Sequence, residues 1–521
     1  MHRILSLLFC LAGPFLYAQY GALDPTFGND GFVITPSGMG NDLVIQPDGK
    51  ILVTGSLYDS MDHLALIRHL SNGERDPSFG NNGIVLLPDQ PYGAVGWQIA
   101  LQSDGKILVA GGHGFSGPQP SDLLLVRFVP EGQLDPSFGS NGIVSWDALG
   151  DREILRALVI QRDGKILVAG EALETALGIR LFLVRFRSDG QLDTGFGNGG
   201  ALLLDYGITI LYTTGLGELN DGKLILCASY VLPQEAVSDI FLMRFMPDGS
   251  PDLSFGNNGT LRHNFGYYQL TRPLLVQPDG KYLVLTNPED LSQQFAVARF
   301  LPDGQADTDF GEQGLAIVRF GQNTIGASSL DVAIQPDGKI ISVGSVKNID
   351  PLVYDELVVA RFLYNGALDL TFGDSGVVRT NFLPEAQDVA LAVALQPDHK
   401  IVVTGYTHPA NDFNIILARY LSNYEPPPYD TSARDELFGL YPNPTSGAFT
   451  VQFGLSRSIT VSLDMYDAQG RFLQTLLHPQ VRAEGIYTEP LVLDSTIPSG
   501  AYFLVMIRDG VRRSLAVVKQ Y

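Results

Sequence analysis

The sequence predicts an all-β protein of many short strands, and three observations predict it. Gly (57) and Pro (31) make up roughly one residue in six of the 521, above the usual ~12%. Charged residues are only 17% and apolar residues 45%, which excludes a disordered chain and a helical array. Short apolar runs with period-2 patterning recur between Gly/Pro turns. The formal net charge of −22 argues against a nucleic-acid partner and fits an acidic, soluble surface.

Residues 1–18 read as a secretory signal peptide. His2 and Arg3 precede an apolar run, Ile4–Leu16, and Tyr17-Ala18 offers a small residue at the cleavage point before Gln19. That run is too short to span a membrane, and no other segment qualifies as a transmembrane helix. Cys10 has no lipobox around it. Removal of the signal leaves Cys227 as a single cysteine, so no intrachain disulfide is expected.

Self-comparison then fixes the architecture. Asp-x-x-Phe-Gly-x-x-Gly recurs with its Phe at Phe27, Phe79, Phe138, Phe196, Phe255, Phe310 and Phe372. A turn of the form Gln-Pro-Asp-Gly-Lys ends at Lys50, Lys106, Lys165, Lys223, Lys281, Lys339 and Lys400. An apolar run ends in Arg68, Arg127, Arg185, Arg244, Arg299, Arg361 and Arg419. The repeat is about 58 residues long and holds four strand-like runs. In the second repeat these are Ile84–Leu87, Trp97–Gln102, Lys106–Ala110 and Leu123–Phe128, with Pro-Asp-Gly as a hairpin turn. Four antiparallel strands in each of seven repeats predict a seven-bladed β-propeller over residues 19–421. The seven Phe are expected to wedge between blades.

Ring closure follows from which residues lack a partner. Six of the arginines have the repeat Asp eight residues later, but Arg419 has Pro427 at that offset. Asp24 in turn has no Arg before it. The N-terminal stretch Tyr20–Gly28 is therefore expected to complete the last blade, bringing Asp24 to Arg419. Arg and Asp at this spacing suit a recurring guanidinium–carboxylate pair.

These repeats, with "GQLDPSFGSNGIV", "LQSDGKILVAG" and "LLLVRFVPEG" among them, resemble the delta-60 repeat family of β-propellers. The resemblance implies a fold and no particular reaction. Two local departures are Leu219 in place of the Gln of the fourth turn and His399 in place of the Gly of the seventh. A left-handed His399 would be mildly strained.

Residues 422–436, with Pro426-Pro427-Pro428, form a Pro-stiffened linker. Residues 437–521 lack the repeat, and short alternating runs at Phe449–Phe453, Thr460–Tyr466, Leu491–Leu493, Tyr502–Ile507 and Ser514–Val518 predict a small Ig-like β-sandwich. Tyr441-Pro442-Asn443-Pro444 with Gly447, Tyr466-Asp467 with Gly470-Arg471, Ile497 to Gly500-Ala501-Tyr502, and Val517-Val518-Lys519 carry a second resemblance. This segment is similar to the C-terminal sorting domain (type A) of the type IX secretion system of Bacteroidota. The resemblance implies export by that machinery after periplasmic transit, then removal of the domain and either release or attachment to surface lipopolysaccharide.

No catalytic or cofactor motif stands out: the chain has no Gly-x-Ser-x-Gly, His-Glu-x-x-His, Cys-x-x-Cys or phosphate loop. The repeated Asp turn has a single constant carboxylate, too few for a calcium loop; structural calcium stays open as a minor reading. Loop lengths are more informative. Arg to the next Phe is always 11 residues, whereas the last Gly of the Phe motif to Lys varies from 19 to 25 and Lys to Arg from 18 to 22. In an up-and-down blade both variable connections lie at one end. A rigid face and a variable face are what a binding scaffold shows, although an unconstrained face would drift in the same way. The variable end carries Asp62, Asp122, Asp239, Asp355, Glu356 and Asp412, candidates to hold a cation or a basic ligand. It also carries aromatics, among them Trp97 and Trp146, which could stack on sugars or contact a protein.

The expectation is a monomeric, non-catalytic binding propeller, secreted or held at the outer-membrane surface, for a glycan or protein ligand. An enzyme with its site at the channel mouth, or a purely structural surface or matrix component, are the alternatives.

Overall fold

A computed structural model describes residues 20–422 and 438–519, apart from 89–92, 114–121, 148–151, 175–177, 206–209, 220, 232–237, 266–268, 278, 289–293, 322, 336, 350–353, 410–411, 442–444, 446, 456, 468–471, 494–496, 498–499 and 509–510. The signal peptide expected at 1–18 and nearly all of the linker expected at 422–436 lie outside the described residues. No helix among the described residues is long and apolar enough to cross a membrane.

Seven four-stranded antiparallel sheets form the first part of the chain. Their first strands are Gly38–Ile45, Ala94–Leu101, Arg152–Ile160, Ile210–Glu218, Gln269–Val276, Thr324–Ile334 and Ala386–Leu395. Each first strand touches the first strand of the next sheet all round the ring, so these strands are the innermost and line the central channel. The Pro-Asp-Gly turns join first to second strands, and left-handed glycines such as Gly49 and Gly105 close them. His399 takes the same place in blade 7 with φ 65°.

The blade is offset by one strand from the sequence repeat. Ile84–Leu86 pairs with Asp62–His69 and is the fourth strand of blade 1, not the first strand of blade 2. The Asp-x-x-Phe-Gly-x-x-Gly turn causes this. Gly80 and Asn82 are left-handed, and the Gly83 amide donates to the Phe79 carbonyl, which folds the chain back onto the third strand. In blade 7 the fourth strand is Phe32–Thr35, from the N-terminal end, paired with Asn414–Tyr420.

Seven apolar clusters fill the seven gaps between neighbouring blades. The one between blades 7 and 1 joins Val402, Ile415 and Leu417 to Leu43, Ile51 and Val53. Blade surfaces are thus buried on both sides, which explains near-continuous runs such as Leu-Leu-Leu-Val-Arg-Phe at 123–128, buried at every position.

The C-terminal part is a sandwich of two sheets. One holds Phe438–Tyr441, Ala448–Leu455 and Gly485–Val492; the other holds Phe472–Arg482, Ile459–Asp467, Gly500–Arg508 and Val511–Lys519. Val451, Phe453, Leu463, Met465, Leu504 and Met506 fill the space between them. Phe472–Arg482 is a strand that the alternation did not reveal. It pairs on one side only, and its register shifts repeatedly against Ile459–Asp467, so its half-buried positions Gln474–Leu477 run consecutively instead of alternating.

Candidate functional site

The fixed end of each blade is built from four recurrent side chains. The Arg ending the third strand meets the repeat Asp at 2.7–2.9 Å in all seven blades. Its guanidinium lies 4.2–4.6 Å from the centre of the repeat Phe ring, a cation–π geometry. The turn Lys reaches the same carboxylate, for example Lys281 to Asp307 at 2.9 Å and Lys400 to Asp24 at 3.0 Å. The other carboxylate oxygen accepts the amide two residues on, as Asp76 does from Ser78 at 3.0 Å. The repeat Asp thus has its cations from the protein itself.

The quartets also fasten neighbouring blades together. Arg68, Arg244, Arg299 and Arg419 donate to the Pro130, Pro302, Tyr364 and Ser71 carbonyls of the next blade at 2.5–2.8 Å. Each Phe ring is fully buried, and six of the seven abut a left-handed glycine of the next blade, such as Phe27 on Gly73 and Phe255 on Gly304. Burial alone would raise the Asp24 carboxyl, but bonds from Thr26 and Lys400 and the Arg419 charge bring it down to about 2.

At the variable end the candidate carboxylates do not converge on one centre. Asp62, Asp122, Asp239, Glu356 and Asp412 lie at or just before the start of the third strand in five different blades, one strand in from the rim. Fourth-strand residues hold three of them. Arg262 pairs with buried Asp239, Arg379 lies 3.3 Å from Glu356, and Ser145 donates to Asp122 at 3.2 Å. The Asp355 carbonyl accepts the Asp388 amide of blade 7 at 2.9 Å. Trp97 and Trp146 are partly buried on the cluster between blades 2 and 3, one on the innermost and one on the outermost strand, so they form no common platform.

What this end does present is an aromatic patch where blade 7 meets blade 1. Phe413 is 40% exposed, stacks on His408 at 4.1 Å and meets Tyr406 edge-on at 5.2 Å. Its carbonyl accepts the Gly38 amide, and Ser37 accepts the amide of Tyr58, which is 58% exposed. Asp59 and Asp412, both exposed, flank these rings in the chain. Rings and acceptors of this kind suit contact with a polyhydroxyl or protein surface. Tyr58 and Tyr406 could have been ranked by repeat alignment; Phe413 could not, because its value comes from its neighbours across the closure.

The channel wall holds groups that repeat reading passed over. Every innermost strand carries a β-bulge at the equivalent place, after Gly40, Gly96, Leu155, Thr213, Thr271, Ser329 and Ala390. Directly after it stand Asp42 in blade 1 and Asp331 in blade 6. Arg156, on the bulge of blade 3, pairs with buried Glu171 at 3.0 Å. Aligning Asn-Asp-Leu with Leu-Asp-Val would have flagged the two aspartates.

In the sandwich, Pro442, Asn443, Pro444 and Gly470 of the sorting motif lie outside the described residues. Gly447 is left-handed (φ 121°) and accepts the Leu493 amide at 2.7 Å. Tyr502 is buried in the core. Gly500 opens the strand that pairs with the last one, opposite Lys519, and the Lys519 ammonium donates to the Ile497 carbonyl at 2.5 Å.

A closed ring of seven four-stranded blades followed by a small sandwich defines an all-β propeller protein. The family models sharpen that class. "Domain of unknown function (DUF5122) beta-propeller" matches residues 46–79, 102–138, 161–196, 219–255, 277–310 and 335–372. "Secretion system C-terminal sorting domain" matches residues 439–516. The chain is a DUF5122 β-propeller carrying a type IX C-terminal sorting domain, exported to the cell surface or beyond. The matched segments run from turn to Phe. In the seventh repeat that stretch is divided between residues 396–421 and Asp24–Phe27, at opposite ends of the propeller sequence.

A search of curated proteins finds no match. Among solved structures, a protein of unknown function from Dyadobacter fermentans is 12% identical, over 77% of this chain and 98% of its own, with a TM-score of 0.36. A polysaccharide lyase of family PL25, an ulvan lyase, is 11% identical over 75% and 96%, with a TM-score of 0.43. Penicillium chrysogenum alpha-L-arabinanase is 12% identical over 75% and 97%, with a TM-score of 0.39. Likeness at this level carries no activity across.

Proposed function

We propose that this protein is a surface-displayed binding propeller that takes a glycan or protein ligand on its variable face, without catalysis. The observation that carries the reading is the aromatic patch at the variable end, with Phe413 and Tyr58 exposed and His408 and Tyr406 half-buried beneath Phe413, on a ring whose other end is fastened blade to blade. Rigid exposed rings lose little entropy on contact and suit the faces of sugars or an aromatic-rich protein surface. The lipopolysaccharide attachment implied by the sorting domain would hold the propeller at the surface while its variable end faces a ligand.

The full exported chain, applied to a glycan array and to cross-linking against surface proteins, tests this. Wild type should retain a ligand, and Tyr58→Ala with Phe413→Ala should weaken it at least tenfold while unfolding is unchanged. Absence of any retained ligand overturns the reading. Release of shortened glycan products would instead favour the enzyme alternative.

A further inference from the structure

The bulge on each innermost strand sets one extra residue at the wall of the central channel. In blades 1 to 7 it is Asn41, Trp97, Arg156, Thr214, Arg272, Leu330 and Leu391. The turns, wedges and quartets recur from blade to blade because the ring needs them, whereas the chemistry of this position does not recur. In blade 3 it is a charged side chain, Arg156, exposed between buried Leu155 and Ala157.

Arg156 is held from behind. Its Nε donates to Glu171 Oε2 at 3.0 Å, and Glu171 is 1% exposed on the second strand, in register with Ile154 and Leu181. The other six blades have Ser, Gly, Asn or Tyr at that register, such as Ser56 and Asn287, so a blade does not need a carboxylate there. Burying one is costly; here it fixes the direction of a guanidinium. The terminal nitrogens of Arg156 make no hydrogen bond to any described residue. With the side chain 40% exposed on an innermost strand, the solvent they meet is that of the channel. A fixed guanidinium edge of this kind takes a carboxylate through two parallel hydrogen bonds.

The neighbouring inner strand supplies an apolar surface at the equivalent place. Trp97, the bulge residue of blade 2, packs on the cluster between blades 2 and 3 and stays partly exposed. The innermost strands of these two blades are in contact, so indole and guanidinium stand on one stretch of wall. Asp42 of blade 1, the wall carboxylate on the far side of blade 2, is occupied by the Leu43 and Ile99 amides.

We propose that the channel binds an acidic glycan, with a uronate carboxylate on the terminal nitrogens of Arg156 and a sugar face against Trp97. The C–H face of a pyranose suits an indole, and its carboxylate suits the fork. Glu171 acts as a positioning residue and touches no ligand. The site is separate from the aromatic patch at the junction of blades 7 and 1 and does not depend on it. A net charge of −22 makes the chain a poor general binder of polyanions, so capture of an acidic glycan reports a local site.

Calorimetric titration of the full-length protein with tetragalacturonate and with its methyl ester tests this. Wild type should bind the acid, and the ester at least tenfold more weakly. Arg156→Gln removes charge and fork; Arg156→Lys keeps the charge that balances Glu171 but loses the fork. Each should weaken tetragalacturonate binding about tenfold or more. Amide exchange should slow on binding in Ala94–Leu101 and Arg152–Ile160. No binding by wild type, equal binding of acid and ester, or equal binding by wild type and the Arg156 variants overturns the channel site and leaves the patch reading standing. Slowed exchange confined to residues 57–59 and 406–414 puts the glycan on the patch and likewise overturns it. If Arg156→Gln does not fold, Arg156→Lys and the ester decide.

Discussion

Arg419 and Asp24, from opposite ends of the propeller sequence, lie 2.9 Å apart and make the same quartet in blade 7 that contiguous residues make in the other six. The Asp24 amide also donates to the Arg419 carbonyl at 2.8 Å, so backbone and side chain close the ring at one place. Asp24→Asn should therefore cost about 3–5 kcal/mol, because it leaves a buried guanidinium without its carboxylate. Denaturant unfolding measures this, with exposed Asp59→Asn as a control that leaves the midpoint unchanged.

Acid should attack the same quartets. Burial opposes ionisation of Asp135, but bonds from Ser137 and Lys106 and the Arg127 charge bring it down to about 2, and Asp24 is held equally low. A depressed folded value means stability that is present above the ordinary carboxylate range and lost as pH falls from about 4 to 2. Unfolding midpoints over that window should drop steeply in wild type. Asp135→Asn should flatten the slope by about 2 kcal/mol at most.

The wedge glycines separate steric from backbone cost. A Cβ on Gly304 would lie 2.4 Å from the Phe255 ring, at φ +88°. Gly164, at φ +81°, has open space around it. Gly304→Ala should destabilise by about 2–4 kcal/mol, and Gly164→Ala by about 1 kcal/mol from backbone strain alone. Equal losses in thermal melts would show that the Phe wedge yields without cost.

His399 sits at φ 65° where the other six turns have Gly. His399→Gly should raise the unfolding free energy by about 0.5–1 kcal/mol, since it removes left-handed strain at a turn whose amide bond to Gln396 is kept. A lower midpoint would mean that the imidazole packing outweighs the strain.

Much of the fold was legible in the sequence because three motifs recur in register. Spacing gave the strand count, the wedge Phe and the fixed and variable ends. The missing Asp after Arg419 pointed to Asp24, since a ring leaves no blade without its quartet. The candidate site was far less legible. Asp239, Glu356 and Asp122 look alike as acidic residues at third-strand starts, yet Arg262, Arg379 and Ser145 engage them from the fourth strand. Trp97 and Trp146 look like a pair in composition and lie on opposite edges of one cluster.

The sequence by itself determined a seven-bladed ring, its closure and its sorting domain, because these depend on local turn chemistry and repetition. Only the tertiary structure decided that each repeat gives its first run to the preceding blade, and that Phe413 and Tyr58 come together where blade 7 meets blade 1. Those relationships arise where blades meet, between residues far apart in the chain, and no spacing along a sequence encodes which side chains a closed ring will set face to face.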